Sequence, residues 1–267
     1  MIDKAEREEV ESETGKLFPK IHSTATHTEV QGYKDNIASI VSVYRNRFND
    51  EDFIAGRDVL EVGCGGRAAG VQALMQFKPG SVRCIDLSEE NVRLTGERAA
   101  ELGYDNVKVS VDNALAPDFP DGSFDLAFST GVIHHTVDPY RCFREMARVL
   151  RPGGYLLLGI YGYGGLWGRV VHPLGMLLGK IIPLSVMEKF VNATGILRSQ
   201  ENSLLDWFYT PIQMKFSEAE IYRWYEECGF EDTLRVRSPK WFYNMGVLTS
   251  LLFGDGYLYF IGRKKRP

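Results

Sequence analysis

Asp58-Val59-Leu60-Glu61-Val62-Gly63-Cys64-Gly65-Gly66-Arg67 is the stretch on which the rest of the chain depends. Its first half is an apolar run carrying an acid near its end, the pattern of a buried parallel strand. Its second half is a glycine turn that opens onto Ala68, Ala69, Val71, Ala73, Leu74 and Met75 at helical spacing. Without a Cβ the backbone can turn sharply and let a ligand lie directly against the peptide units. Strand, tight turn and helix together make the front of a nucleotide-binding βαβ unit. Glycine turns also serve simply to link strands to helices, so the neighbouring segments decide.

Upstream, Tyr33, Ile37, Ile40, Val41 and Tyr44 recur at helical spacing, predicting an amphipathic helix that packs on the rim of the domain. Downstream, Pro79-Gly80 stops the chain, and residues 82–86 form a second strand ending in Asp86. Ser88 caps the next helix, and Gly103 closes it. A third strand at 107–111 runs into Asp112-Asn113-Ala114, and a fourth occupies 124–129. Asp138-Pro139 is an N-cap followed by proline at the first helical position. Residues 155–160 make a fifth strand, and Ser217-Glu218-Ala219-Glu220 reads as a capping box. Sixth and seventh strands fall at 231–237 and 257–262. Alternating strands and helices at this spacing imply an α/β, doubly wound sheet with right-handed crossovers.

The chain has 267 residues, 44% of them hydrophobic, enough for a full core, and a net charge of -4 that argues against a dedicated nucleic-acid partner. Cys64, Cys84, Cys142 and Cys228 are scattered without a CxxC pair, and no zinc pattern exists, so reduced thiols in a cytoplasmic protein and no metal are expected. Residues 1–16 read as an acidic arm or solvated helix rather than a secretory signal. Segment 166–184 is apolar but interrupted by Arg169, His172, Pro173, Lys180 and Pro183, too broken for a transmembrane span. The expected organisation is an N-terminal arm and cap helix at 1–57 and one domain at 58–267, with cap insertions at 161–215 and 238–256.

Five motifs now carry a resemblance. Residues 59–65 resemble the first motif of class I S-adenosylmethionine-dependent methyltransferases. Ile85-Asp86-Leu87-Ser88 is similar to the family's second-strand motif, and Val111-Asp112-Asn113-Ala114 to its third. Phe124 to Ser129, with Gly131-Val132-Ile133-His134-His135, resembles the fourth, and Val149-Leu150-Arg151-Pro152-Gly153-Gly154 the approach to the fifth strand. The sequence departs at Arg67, which stands where the family often has a third glycine, and at Asn113, which separates Asp112 from Ala114.

The resemblance implies a Rossmann-like sheet of seven strands, mostly parallel with the last antiparallel, and S-adenosyl-L-methionine as cofactor. Gly63 and Gly65 would approach its methionine part, with Glu61 helping to orient it. Asp86 would accept from both ribose hydroxyls and Asp112 would meet the adenine amino group, with Leu87 and Ala114 on the ring faces. Asn113, Thr130 and, from the preceding helix, Tyr33 complete the cofactor set. A dinucleotide fits the glycine spacing too, but Glu61 would set a second negative charge beside a pyrophosphate, whereas an ammonium would be attracted there.

For the acceptor, His135, His134 and Asp206 are the candidate bases, since imidazole titrates near neutrality and a desolvated carboxylate can be raised into range. The bland alternative for the histidines is packing beneath the site. Tyr161, Trp207, Tyr209 and Trp241 are the candidate acceptor contacts, or equally residues that pin loops to the core. The reading is direct methyl transfer to a small, partly apolar acceptor. A nicotinamide-dependent oxidoreductase and a non-catalytic partner subunit are the alternatives, and the apolar insertions are candidate protein or membrane-surface interfaces. Oligomeric state is left open.

Overall fold

The computed structural model describes residues 12–17, 27–50, 53–194, 209–237 and 256–266. Seven strands form one sheet: β1 Asp58–Val62, β2 Ser81–Asp86, β3 Val107–Val111, β4 Phe124–Thr130, β5 Leu150–Tyr161, β6 Phe230–Val236 and β7 Tyr257–Lys264. Their spatial order is β3-β2-β1-β4-β5-β7-β6. Strands β1 to β5 run parallel, while β7 lies antiparallel between β5 and β6. The expected mostly parallel sheet with an antiparallel last strand is therefore observed.

The helices follow from local chemistry. After α1 (His27–Phe48) and α2 (Ala69–Met75), α3 (Glu89–Glu101) starts where the Ser88 side chain accepts from the Asn91 N–H. Asp138 caps α4 (Pro139–Arg148) in the same way, with proline at the first turn. In the excursion after β5 come α5 (His172–Gly179) and α6 (Leu184–Thr194). The predicted capping box is complete at α7 (Glu218–Glu227), with Ser217 and Glu220 satisfying each other's backbone N–H.

Because side chains alternate along a strand, the sheet carries a separate core on each face. Val59, Cys84, Phe128 and Leu157 face Ile37, Ile40 and Val41 of α1 and Val71 and Leu74 of α2. Leu60, Ile85, Ala127 and Leu156 face Phe143 and Met146 of α4 and Ile221 and Tyr225 of α7. Helix α1 is thus a core element of the first face rather than a rim attachment. Each such fully buried apolar side chain contributes roughly 1.5–3 kcal/mol. A cluster of edge-on and tilted rings, Tyr44, Phe53 and Tyr155, with centroids 5.1 to 5.9 Å apart, fixes the end of α1 against β5.

Candidate active site

The carboxyl ends of β1, β2 and β4, with the turn after β3, open into one cavity of about 410 Å³, within the roughly 300–1,000 Å³ typical of small-molecule sites. It lies where the strand order reverses, between β1 and β4, the place at which open α/β sheets bind ligands. Every residue expected to hold the cofactor lines it: Tyr33, Glu61, Gly63, Gly65, Asp86, Leu87, Asp112, Asn113, Ala114 and Thr130.

Glu61 points by strand alternation into the α1/α2 face, among apolar neighbours. Register sets it opposite Cys84 on β2, and the Cys84 thiol donates to its Oε2 at 3.5 Å. Burial, helped by the nearby charge of Asp86 and opposed by that thiol, pushes the Glu61 carboxyl up to about 8. Helix α2 comes so close that a Cβ on Gly70 would fall 1.7 Å from Oε1 of Glu61. Gly63, at φ +78°, has no more freedom, since a Cβ there would lie 2.3 Å from the Val132 side chain.

The other two acids hold the loops around them. Asp86 accepts from the Gly65 N–H at 2.9 Å through one oxygen, and from the Ser88 N–H and the Asn91 amide at 3.0 and 3.1 Å through the other. Asp112 accepts from the N–H groups of Asn113 and Asp118 at 2.7 and 3.0 Å. A carboxylate offers about four lone-pair sites, so both can still take a ligand donor. Across the cavity, the Tyr33 hydroxyl bonds Thr130 Oγ1 and ties α1 to the end of β4. Burial raises the Tyr33 phenol well above its ordinary value.

The paired histidines separate. They occupy a 3-10 turn, Ile133–His135, whose tight winding sends adjacent side chains in different directions. His135 lines the cavity, while His134 is fully buried, does not line it, and stacks on Tyr161 with ring centroids 3.9 Å apart. His135 Nδ1 meets the Ile212 carbonyl at 2.9 Å. A carbonyl only accepts, so Nδ1 carries the proton and Nε2 of the neutral ring is the basic nitrogen. The strap at 209–216 also bonds the His134 carbonyl from the Met214 N–H and the Tyr161 carbonyl from the Phe216 N–H, both at 2.9 Å.

Of the acceptor candidates, Tyr161 lines the cavity. Tyr209 does not: its hydroxyl donates to the Ile182 carbonyl at 2.8 Å, pinning the excursion after β5. Asp206, Trp207 and Trp241 lie outside the described residues, as does almost all of the insertion at 238–256. Sequence reasoning missed several wall residues. Residues 12–17 are helical, one of the two forms expected of the N-terminus, but Thr14 and Gly15 belong to the wall, so this helix is not wholly solvated. Arg67, noted only as a departure, is the sole lysine or arginine of the lining among the described residues. Tyr257 of β7 packs edge-on to Tyr161 at 5.4 Å and closes the side toward β5.

Residues 60–158, the segment that builds most of this wall, match the family model described as a methyltransferase domain. That segment is a methyltransferase domain, as its motifs imply. Phosphoethanolamine N-methyltransferase 2 of Caenorhabditis elegans is 35% identical over 133 residues, covering 50% of this chain and 29% of the relative. The 27-O-demethylrifamycin SV methyltransferase of Amycolatopsis mediterranei is 31% identical over 134 residues, covering 48% and 49%. The chain therefore spans half or less of the length of these curated relatives, and their names give different acceptors. Among solved structures, Haemonchus contortus phosphoethanolamine N-methyltransferase 2 in complex with S-adenosyl-L-methionine superposes with a TM-score of 0.54 at 18% identity, over 85% of this chain and 52% of that one. At that identity the likeness extends to the methyltransferase fold alone.

Proposed function

We propose that this chain transfers a methyl group from S-adenosylmethionine to a small acceptor bound between Tyr161, Tyr257 and His135. The observation that carries the reading is the acid–base make-up of the cavity wall: the three acids Glu61, Asp86 and Asp112 against the single cation Arg67 among the described residues. A ligand with a sulfonium and an ammonium suits such a wall, and a dinucleotide pyrophosphate does not. The buried Glu61, held largely protonated at neutral pH while alone, would be ionised by a neighbouring ammonium. Arg67 would take the carboxylate of the same amino-acid moiety, so the glycine turn addresses both ends of a zwitterion. Asp86 would hold a ribose hydroxyl through its remaining lone pair, and Asp112 to Ala114 the adenine.

When bound, the cofactor supplies a methyl group already activated on sulfur. The chain then has to position the acceptor, exclude water and remove a proton where the nucleophile carries one. His135 Nε2 would be the proton acceptor, with the Ile212 carbonyl fixing the tautomer. His134, buried beneath the site, would serve as support for Tyr161. A screen of alcohols, phenols, amines and thiols with methyl-labelled S-adenosylmethionine, read by mass spectrometry, tests the proposal. A labelled product from one chemical class supports it, and cofactor binding without transfer to any class would favour a non-catalytic partner role.

A further inference from the structure

Where β5 leaves the cavity wall at Tyr161, the chain departs into a π-helical turn at Trp167–Val171 followed by α5 and α6. Eight of the thirteen large apolar side chains exposed among the described residues fall within residues 163–190. Leu166, Leu174, Leu177, Ile181, Val186 and Phe190 are 52–71% exposed. Helix α5 carries no Lys, Arg, Asp or Glu, and a helix without a polar face is normally buried or in lipid. Bonds from the strap tie the start and the middle of the segment to the body. Lys215 Nζ donates to the Gly168 carbonyl at 2.5 Å, and Tyr209 to that of Ile182 at 2.8 Å.

Its charge is segregated as well. Arg169, Lys180 and Lys189 are exposed, and Glu188 is the one acid in residues 163–194, although the chain as a whole carries -4. At eight and eleven residues, α5 and α6 fall short of the ~20 needed to cross a bilayer, and no described helix is long and apolar enough to do so. A second copy is a poor occupant, since a two-fold contact would bring the three cations against their own images. Exposed apolar side chains interspersed along the segment with exposed cations match the two signals that hold a peripheral protein at an acidic lipid surface. We infer that residues 163–190 dock shallowly on an anionic bilayer, setting the cavity rim at Tyr161 beside the membrane. The inference is independent of methyl transfer, and neither reading falls with the other.

Co-sedimentation of the full chain with vesicles tests it, comparing phosphatidylcholine alone with a 3:1 mixture of phosphatidylcholine and phosphatidylglycerol. Binding to the anionic vesicles should exceed binding to the neutral ones by about tenfold or more and weaken as salt rises. Two triple variants, L174E/L177E/I181E and R169Q/K180Q/K189Q, should each lose about tenfold or more with unchanged melting temperature, because all six side chains are exposed. Equal binding to both vesicle types, or none to either, overturns the inference. So does a dimer by light scattering that the leucine and isoleucine substitutions dissolve.

Discussion

The thiol of Cys84 donates to the carboxyl of Glu61 across neighbouring strands, and this is the polar contact that accompanies the acid into the apolar face beneath the glycine turn. A consequence follows for stability against pH. The folded carboxyl sits at about 8, against about 4.3 for an unfolded glutamate. Between those values the unfolded chain has lost a proton that the folded chain keeps. Stability is therefore highest below the lower value and declines as pH rises toward 8. At roughly 1.4 kcal/mol per unit, the decline amounts to a few kcal/mol. Glu61→Gln removes it, and urea unfolding of both proteins from pH 5 to 8.5 without ligand would show their stabilities diverging. Parallel pH dependences would refute the raised value.

Gly70 is the other side of the same contact. Alanine there drives a methyl group into Oε1 of Glu61, and overpacking of this kind costs about 1–3 kcal/mol. The effect should be strongly non-additive with Glu61→Ala, which opens the space. Chemical denaturation of the two single variants and the double variant measures the coupling. Simple additivity would mean that α2 shifts rather than the acid.

Asp86 bonds the Gly65 N–H and the Asn91 amide, so Asp86→Ala should act twice. S-adenosylhomocysteine affinity should fall by roughly 1.5–3 kcal/mol, the range for hydrogen bonds to a charged group. The melting temperature should fall as well, since a turn donor loses its partner. Ser88→Ala, which removes only the cap of α3, should cost about 1 kcal/mol of stability while leaving affinity nearly intact. Calorimetry and thermal melts on both variants separate the roles, and an unaltered affinity in folded Asp86→Ala would remove the ribose assignment.

The two histidines should fail in different ways. His135→Ala is expected to lower the transfer rate about 10²-fold and flatten the acidic limb of the pH profile, with cofactor affinity retained. His134→Ala deletes a fully buried ring stacked on Tyr161 and should lower stability first. Rates across pH, alongside unfolding curves, distinguish them. Near-normal rates in His135→Ala would point to an acceptor that binds already ionised.

The sheet and the cofactor wall were legible because they are written locally. Each strand end and its following turn are contiguous, so Glu61, Asp86 and Asp112 could be placed without knowing any long-range contact. Residues that reach the cavity from elsewhere were not. Thr14 and Gly15 arrive from a segment with no apolar periodicity, and Tyr257 arrives because β7 inserts between β5 and β6, a matter of topology. His134 and His135 look equivalent in a linear sequence, and only the geometry of a 3-10 turn separates them. Tyr209, an aromatic in an irregular segment, admits both an acceptor role and a loop-pinning role in sequence, and only the fold shows its hydroxyl donating to the Ile182 carbonyl.

The central claim is that the acidic wall around the glycine turn receives S-adenosylmethionine through an ionised Glu61. Isothermal titration of the chain with S-adenosylmethionine at pH 7, in two buffers of different ionisation enthalpy, tests it most directly. The account predicts saturable 1:1 binding with close to one proton released, because an acid at about 8 gives up its proton to meet the ammonium. The Glu61→Gln variant should bind more weakly and release none, and NADH should not bind. Tight NADH binding, or S-adenosylmethionine binding with no proton release from the wild type, would contradict it.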